Sequence, residues 1–514
     1  MLISYIQKIT QHTPHKLALI SPQGDYTYAQ LCQAVMGDIT RLHQRGIGAG
    51  DVVAILSPNH PMNVRLVIAL WALRAIPLPL NTRLTADEIR YQVAFTQAKC
   101  LICADDLPVP DVDVPVYGFD LQLVYPKSTA THRTATKHIN KTCFIPNIKT
   151  RTGAPLVGLR QRIATASKPL AGRMSRIALI MFTSGTSGKP KGAMLTHANL
   201  IVNAIASHER LCMTAHDHWL CVLPLYHIGG LSIIIRCLML GATVSLFPRF
   251  DVDSIHDALC TRNITLISLV PTMLYRLLDQ DVTHWQPSLR LILLGGAAAD
   301  ERLMRRCALH HLPIATTYGL TEASSQVCTA TPDSTYHKPA SVGKPMTGIS
   351  VRIVDENGAT CPTGIIGEIA VRGKTVMAGY YRDATATALR DGELFTGDMG
   401  YIDADGDLWV IQRRSDLIIT GGENVYPAEV EAVLREFVGV DDVVVVGIPD
   451  PEWGQVVGCV LVGDVDISTL QAYARGKLAG YKIPRRWHML DALPLNSTGK
   501  VDMRAIRAIL EEKA

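Results

Sequence analysis

No apolar stretch of the 514-residue chain is long and clean enough to cross a membrane as a helix. The nearest approach, Ile228 to Phe247, is broken by Gly229, Gly230, Arg236 and Gly241, and reads as a helix, a turn and a strand in a core. The N-terminus Met1-Leu-Ile-Ser-Tyr-Ile-Gln-Lys8 has too short an apolar stretch for a secretory signal, and no cleavage pattern. Net charge is scarce as well. A formal +4 over the whole chain gives no global argument for nucleic-acid binding. The 12 cysteines have no repeating spacing. Cys100 and Cys103 are the one close pair, inside the apolar run Lys99 to Ala104, and no second ligand pair completes a zinc site. Reduced core thiols in a cytoplasmic protein are expected. Acidic residues are missing between Asp120 and Glu209, while Lys and Arg recur. Most of Lys127 to Arg173 is therefore expected to be an exposed basic insertion.

What is present is the material of a large globular enzyme. The hydrophobic fraction is 48% and the charged fraction 19%, which suits a packed core and more than one domain. From about residue 50 to 320, apolar β-rich runs such as Asp51–Leu56, Ile177–Phe182, Thr265–Val270 and Leu289–Leu294 alternate with helical patterns. Thr85-Ala-Asp-Glu88 opens one helix with a capping box. This alternation predicts an α/β fold: a large N-terminal domain with mixed and parallel sheets. Short strands with glycine turns after about 340 predict a β-rich subdomain, and 417–514 a small α+β C-terminal domain. The polar stretch Gln412-Arg-Arg-Ser-Asp416 is the expected join, with domains 1–412 and 417–514 and a hinge at 413–416.

The densest chemical signal is Thr183-Ser184-Gly185-Thr186-Ser187-Gly188-Lys189-Pro190-Lys191-Gly192. Its glycines free the backbone to turn successive N–H groups toward an anion, its hydroxyls add donors, and Lys189 and Lys191 add charge. A strand before it and a helix after it are expected to supply the scaffold. The spacing is not that of a Walker A loop, so P-loop phosphoryl transfer is not indicated.

This segment closely resembles the signature of the acyl-adenylate-forming superfamily, which includes acyl-CoA synthetases, adenylation domains and luciferases. Four further segments match that superfamily in order, and the resemblance covers nearly the whole chain. It implies ATP-dependent activation of a carboxylic acid to an acyl-adenylate, then thioester formation with coenzyme A. Thr317-Tyr318-Gly319-Leu320-Thr321-Glu322 looks like the adenine and magnesium motif, with Glu322 on Mg²⁺ and the flat face of Tyr318 on adenine. Leu394 to Asp398 looks like the ribose motif, with Asp398 accepting from the hydroxyls. Arg413 to Glu431 looks like the hinge and thioester loop, with Gly421 and Gly422 lining a pantetheine tunnel. Asn496 to Lys500 looks like the catalytic-lysine motif. Gly295, Gly296 and Ala297, after a strand, would let the acyl-adenylate approach closely, and His227 would gate or orient the carboxylate. Arg475, Lys477, Lys482, Arg485 and Arg486 are candidates for the coenzyme A phosphates. Gln412 departs from the glycine usual before the hinge arginine, so altered hinge kinetics are expected at most.

Three segments are similar more narrowly to the 2-succinylbenzoate–CoA ligases of menaquinone and phylloquinone biosynthesis. They are Leu80 to Glu88, Leu223 to Ser232, and Tyr318 to Val327 with Ser341 to Pro345. The residue that would bind the second carboxylate of such an acid is not identifiable from the sequence. A fatty- or aryl-acid CoA ligase is the alternative within the superfamily, and a non-catalytic ATP-binding sensor the alternative outside it. The expected partners are small molecules, with no nucleic acid and no membrane span. The sequence leaves a homo-oligomer open.

Overall fold

A computed structural model describes residues 2–124, 175–183, 190–299, 301–383, 388–412, 417–494 and 501–512. The basic segment Lys127 to Arg173, the hinge 413–416, Ser184 to Lys189 and Lys500 lie outside the described residues.

The N-terminal region is α/β, as the alternating runs predict. A nine-stranded sheet carries the site. Its centre is parallel: Leu17–Ile20, Thr243–Leu246, His218–Cys221, Leu266–Leu269, Leu291–Leu294 and Ile314–Leu320 lie side by side. These strands are short, apolar and almost wholly buried, as expected of a sheet covered on both faces. Antiparallel strands close the edges. A second, mainly parallel sheet holds Ile76–Leu80, Val52–Leu56, Cys100–Cys103 and Val116–Tyr117, with antiparallel Leu123–Val124 at its edge. Burial in that sheet pushes the Cys100 and Cys103 thiols up to about 12 and about 11, as suits core thiols. The helix Ala86–Thr96 starts with the expected capping box: Thr85 Oγ1 accepts from Glu88 N, and Glu88 Oε2 accepts from Thr85 N at 2.7 Å.

The antiparallel subdomain predicted after residue 340 consists of Ile349–Val354, Gly367–Gly373, Leu389–Arg390, Glu393–Ile402 and Leu408–Gln412. The C-terminal region has its own sheet, with the long hairpin Val440–Asp450 and Gly454–Gly463 at its centre. Its helices Pro427–Arg435 and Ile467–Lys477 pack on one face and Met503–Glu511 on the other, each over a separate apolar cluster.

One local expectation needs correction. The strand Ile177–Thr183 is followed by a strand, Lys191–Thr196, not directly by a helix. The two pair antiparallel from Ile177↔Thr196 to Thr183↔Lys191, and the helix His197–Arg210 begins only afterwards. The phosphate-type segment therefore joins two antiparallel strands, and the helix follows the second of them. The run Lys191 to Thr196 is too short for its period to separate strand from helix.

Candidate active site

Parallel strands release their chains at one edge, and the crevice beyond their carboxyl ends is where open α/β sheets take ligands. The described residues place a cavity of about 930 Å³ there. His218–Cys221 leads into Val222, Leu223, Tyr226 and His227, and Leu266–Leu269 into Val270. Leu291–Leu294 leads into Gly295 and Gly296, and Ile314–Leu320 into Thr321 and Glu322. The opposite wall comes from the C-terminal region: Gly421, Gly422, Glu423, Tyr426, Glu452 and Trp453.

Eleven of the sequence-selected residues that the structure describes meet in this cavity. Thr183, His227, Gly295, Gly296, Thr317, Gly319, Thr321, Glu322, Asp398, Gly421 and Gly422 all line it. Ala297 does not line it, and Lys191 stands behind the wall. Lys191 Nζ is 3.3 Å from Asp383 Oδ2 and lies over the Tyr380 ring. The Tyr380 hydroxyl donates to Glu322 Oε1 at 2.8 Å, and Thr183 Oγ1 donates to the same oxygen at 3.2 Å. Glu322 is 8% exposed, so two hydroxyls fix one of its oxygens at the cavity surface. Tyr318 differs from its expected place. Its ring is 1% exposed in the core, outside the cavity wall, and its hydroxyl donates 2.7 Å to Asp398 Oδ2. It orients the carboxylate expected to take the ribose, rather than presenting a face to a base. Arg413, Lys500 and Ser184 to Lys189 lie outside the described residues.

His227 is the N-cap residue of the helix Ile228–Leu240, and its Nε2 lies 3.1 Å from Glu423 Oε2 of the opposite wall. Asn81 Nδ2 donates to the same oxygen at 3.2 Å, and Arg83 reaches Glu423 Oε1 at 3.3 Å. Burial opposes ionisation of Glu423, but His227 and Arg83 outweigh it and hold the carboxyl below its usual range. Within the sequence Glu423 and Arg83 are unremarked members of longer motifs. Their partners lie far off along the chain, so no local pattern marks them.

The largest omission is Arg236. It sits on the helix Ile228–Leu240, nine residues or about 13 Å along the axis from His227. It lines the cavity yet is 2% exposed. One terminal nitrogen donates to Asn203 Oδ1 and Ser325 Oγ, each at 3.2 Å, while Nε has no partner. Among the described residues no carboxylate pairs with it. Burial pushes its guanidinium down to about 9, which leaves it cationic at neutral pH. An interior cation without a counter-ion is costly unless something supplies one. Its signal in the sequence is a lone arginine in an otherwise apolar helix.

The carboxylates of the described residues that lie close enough together for a cation, Asp403, Asp405 and Asp407, lie outside this cavity. Lys338 Nζ fills that cluster at 2.6, 2.7 and 2.9 Å.

The AMP-binding enzyme family matches residues 6–381, and the AMP-binding enzyme C-terminal domain matches residues 429–500. The chain belongs to the AMP-binding enzyme family. Among curated members it is 35% identical to a 2-succinylbenzoate–CoA ligase of Bacillus cereus, over 97% of both chains. Among solved members it is similar to a double mutant of o-succinylbenzoate CoA synthetase from Bacillus subtilis bound with its product analogue OSB-NCoA. The identity is 32% and the TM-score 0.84, over 99% of this chain and 98% of that one. The same enzyme in complex with the acyl-adenylate intermediate OSB-AMP gives a TM-score of 0.69 at 32% identity, over 99% and 97%. No helix among the described residues is long and apolar enough to cross a membrane.

Within this family member the glycine pair has a physical reason. Gly421 adopts φ +56° and Gly422 φ +84°. A Cβ on Gly421 would come 2.8 Å from Trp453 Cε3, and one on Gly422 would meet Val270 across the cavity at 3.4 Å. A Gly421→Ala variant is expected to slow thioester formation about tenfold or more, because a left-handed Ala and a displaced indole add their costs. Single-turnover transfer from a preformed acyl-adenylate measures this, and a wild-type rate would contradict the close approach.

Proposed function

We propose that this chain is a 2-succinylbenzoate–CoA ligase of menaquinone or phylloquinone biosynthesis. The carboxylate at the end of the succinyl chain attacks the α-phosphorus of ATP, giving acyl-adenylate and pyrophosphate. The thiol of coenzyme A then attacks the acyl carbon, giving the thioester, AMP and a proton. The observation that carries the choice of acid is Arg236, a buried cation without a carboxylate partner among the described residues, in a cavity whose lining also includes Val222, Leu223, Leu269 and Leu293. An aromatic diacid fills such a site: its ring lies between apolar walls and its second carboxylate neutralises Arg236, with Ser325 beside it. A hydrocarbon tail would leave the cation unpaired, which disfavours a fatty acid.

The roles of the other residues follow from charge and place. Both reactants of the first step are anions, so catalysis must neutralise charge and fix an in-line approach. Asp398, steadied by Tyr318, is a bidentate acceptor for the ribose hydroxyls. Glu322 and the Thr183 hydroxyl form a hard-oxygen pair at the cavity surface, which fits a Mg²⁺ ion held mainly by triphosphate and water. When bound, the ion neutralises charge on the triphosphate. By resemblance, Lys500 brings a cation to the carboxylate and α-phosphate, Arg413 reaches the ribose or phosphate, and Ser184 to Lys189 hold the triphosphate. His227 and Glu423 stand where the wall of the small domain meets the acid pocket.

The five basic candidates for coenzyme A now differ. Lys482 is buried between carboxylates, Lys477 pairs with Glu436 at 3.1 Å, and Arg486 donates to Leu510 O. Arg475 and Arg485 are exposed, and only Arg485 is stacked on a cavity residue, 4.1 Å over the Trp453 ring. Arg485, with Arg249 and Arg276 of the large domain in the cavity wall, is the set that faces phosphates entering from outside.

The decisive experiment is pyrophosphate release with ATP and coenzyme A across a panel of acids, with mass detection of the thioester. Thioester from 2-succinylbenzoate, and little from fatty acids, is the expected result. Turnover of fatty acids but not of 2-succinylbenzoate would sink the assignment.

A further inference from the structure

The segment Leu80 to Glu88 remains to be explained. Thr82 and Arg83 reach the cavity, and the segment as a whole carries most of the polar contacts between the large and small domains described above. Asn81 and Arg83 hold Glu423, the Arg83 guanidinium lies 5.1 Å over the Tyr481 ring, and Thr85 Oγ1 donates to Lys477 O at 3.3 Å. The innermost contact is Glu88. Its Oε1 accepts from Lys482 Nζ at 2.5 Å, and the same ammonium donates to Glu429 Oε1 at 2.7 Å.

This cluster is built with care. Glu88 is the third residue of the helix Ala86–Thr96, and Glu429 the third residue of Pro427–Arg435. One ammonium thus bridges the first turns of two helices, one from each domain. The Lys482 side chain is 3% exposed and that of Glu88 10%. The capping box occupies Glu88 Oε2 with Thr85 N, so the carboxylate already points its other oxygen outward before the small domain arrives. Little side-chain entropy is then lost on docking. Glu429 Oε2 is buried without a partner, so Lys482 is the group that neutralises both carboxylates. Glu429 and Lys482 share a domain and stay together in any orientation; Glu88 joins them only in this one.

We infer that Glu88 is a positioning residue for thioester formation: through Lys482 it holds the small domain in the orientation that lines the cavity with Gly421 and Gly422, and it takes no part in adenylation. The inference rests on the two-step reading above. The higher TM-score against the complex with a coenzyme A product analogue than against the acyl-adenylate complex supports it.

Glu88→Gln separates this role from helix capping, because Gln at the third position also closes the box. The variant should melt as the wild type does. ATP–pyrophosphate exchange without coenzyme A should stay within about twofold, while single-turnover thioester formation from preloaded acyl-adenylate slows about tenfold or more, the expectation for a buried ion pair that loses one charge. Small-angle scattering of the wild type and the variant with coenzyme A should show the variant more extended. Equal slowing of both steps, or of neither, would overturn the inference. If the wild type shows no exchange with any acid, the reading of the reaction fails instead. The scattering comparison then decides alone: a more extended variant supports the latch and identical curves refute it.

Discussion

Replacing Arg236 with Met should cost about 10²–10³ in kcat/KM toward 2-succinylbenzoate, the range seen when one partner of a buried charge contact is removed. The informative comparison is 4-oxo-4-phenylbutanoate, the same acid without its ring carboxylate. The wild type should discriminate strongly between the two, and the variant hardly at all. For the smaller acid the variant should equal or exceed the wild type, because no unpaired cation then remains beside the ring. Folding is not expected to suffer. Arg236 has no acidic partner among the described residues, and an apolar side chain of similar length in a buried cation's place is commonly neutral or stabilising. An unchanged ratio between the two acids, measured under identical conditions, would remove Arg236 from substrate recognition.

The second large effect is expected at Glu322. An amide oxygen in Glu322→Gln can still accept from Tyr380 and Thr183, so the wall keeps its shape and loses only its charge. Adenylation should fall roughly a hundredfold and demand more Mg²⁺, in line with the several kcal/mol that metal-assisted charge neutralisation contributes. Transfer from a supplied acyl-adenylate involves no triphosphate and should proceed at the wild-type rate. The check is ATP–pyrophosphate exchange titrated with Mg²⁺ beside single-turnover transfer. Equal losses in both would assign Glu322 to general structure rather than to the triphosphate.

The structure makes plain why some of this was legible and some was not. The capping box at Thr85 and Glu88 could be read because its partners are three residues apart. The parallel strands could be read because burial on both faces leaves continuous apolar runs. The hairpin that flanks the phosphate-type segment could not, since Lys191 to Thr196 is short and runs straight into a helix. Tyr318 could be placed in a motif, but its direction depends on Asp398, eighty residues away. Arg236 carried a visible signal, an arginine in an apolar helix, but its meaning depends on Asn203 and Ser325, which other elements deliver. Contacts set by tertiary approach leave no period in the chain, and residues that recognise a ligand are mostly of that kind.

The wall that Gly421 and Trp453 add to the cavity has a consequence for inhibition. A compound that takes its affinity from that wall meets a complete site only while the small domain is docked. Where the adenylate must form before docking, more ATP and more acid create more of the inhibitor's target. Such a compound would not be competed away as substrates accumulate, and its apparent potency would rise with them.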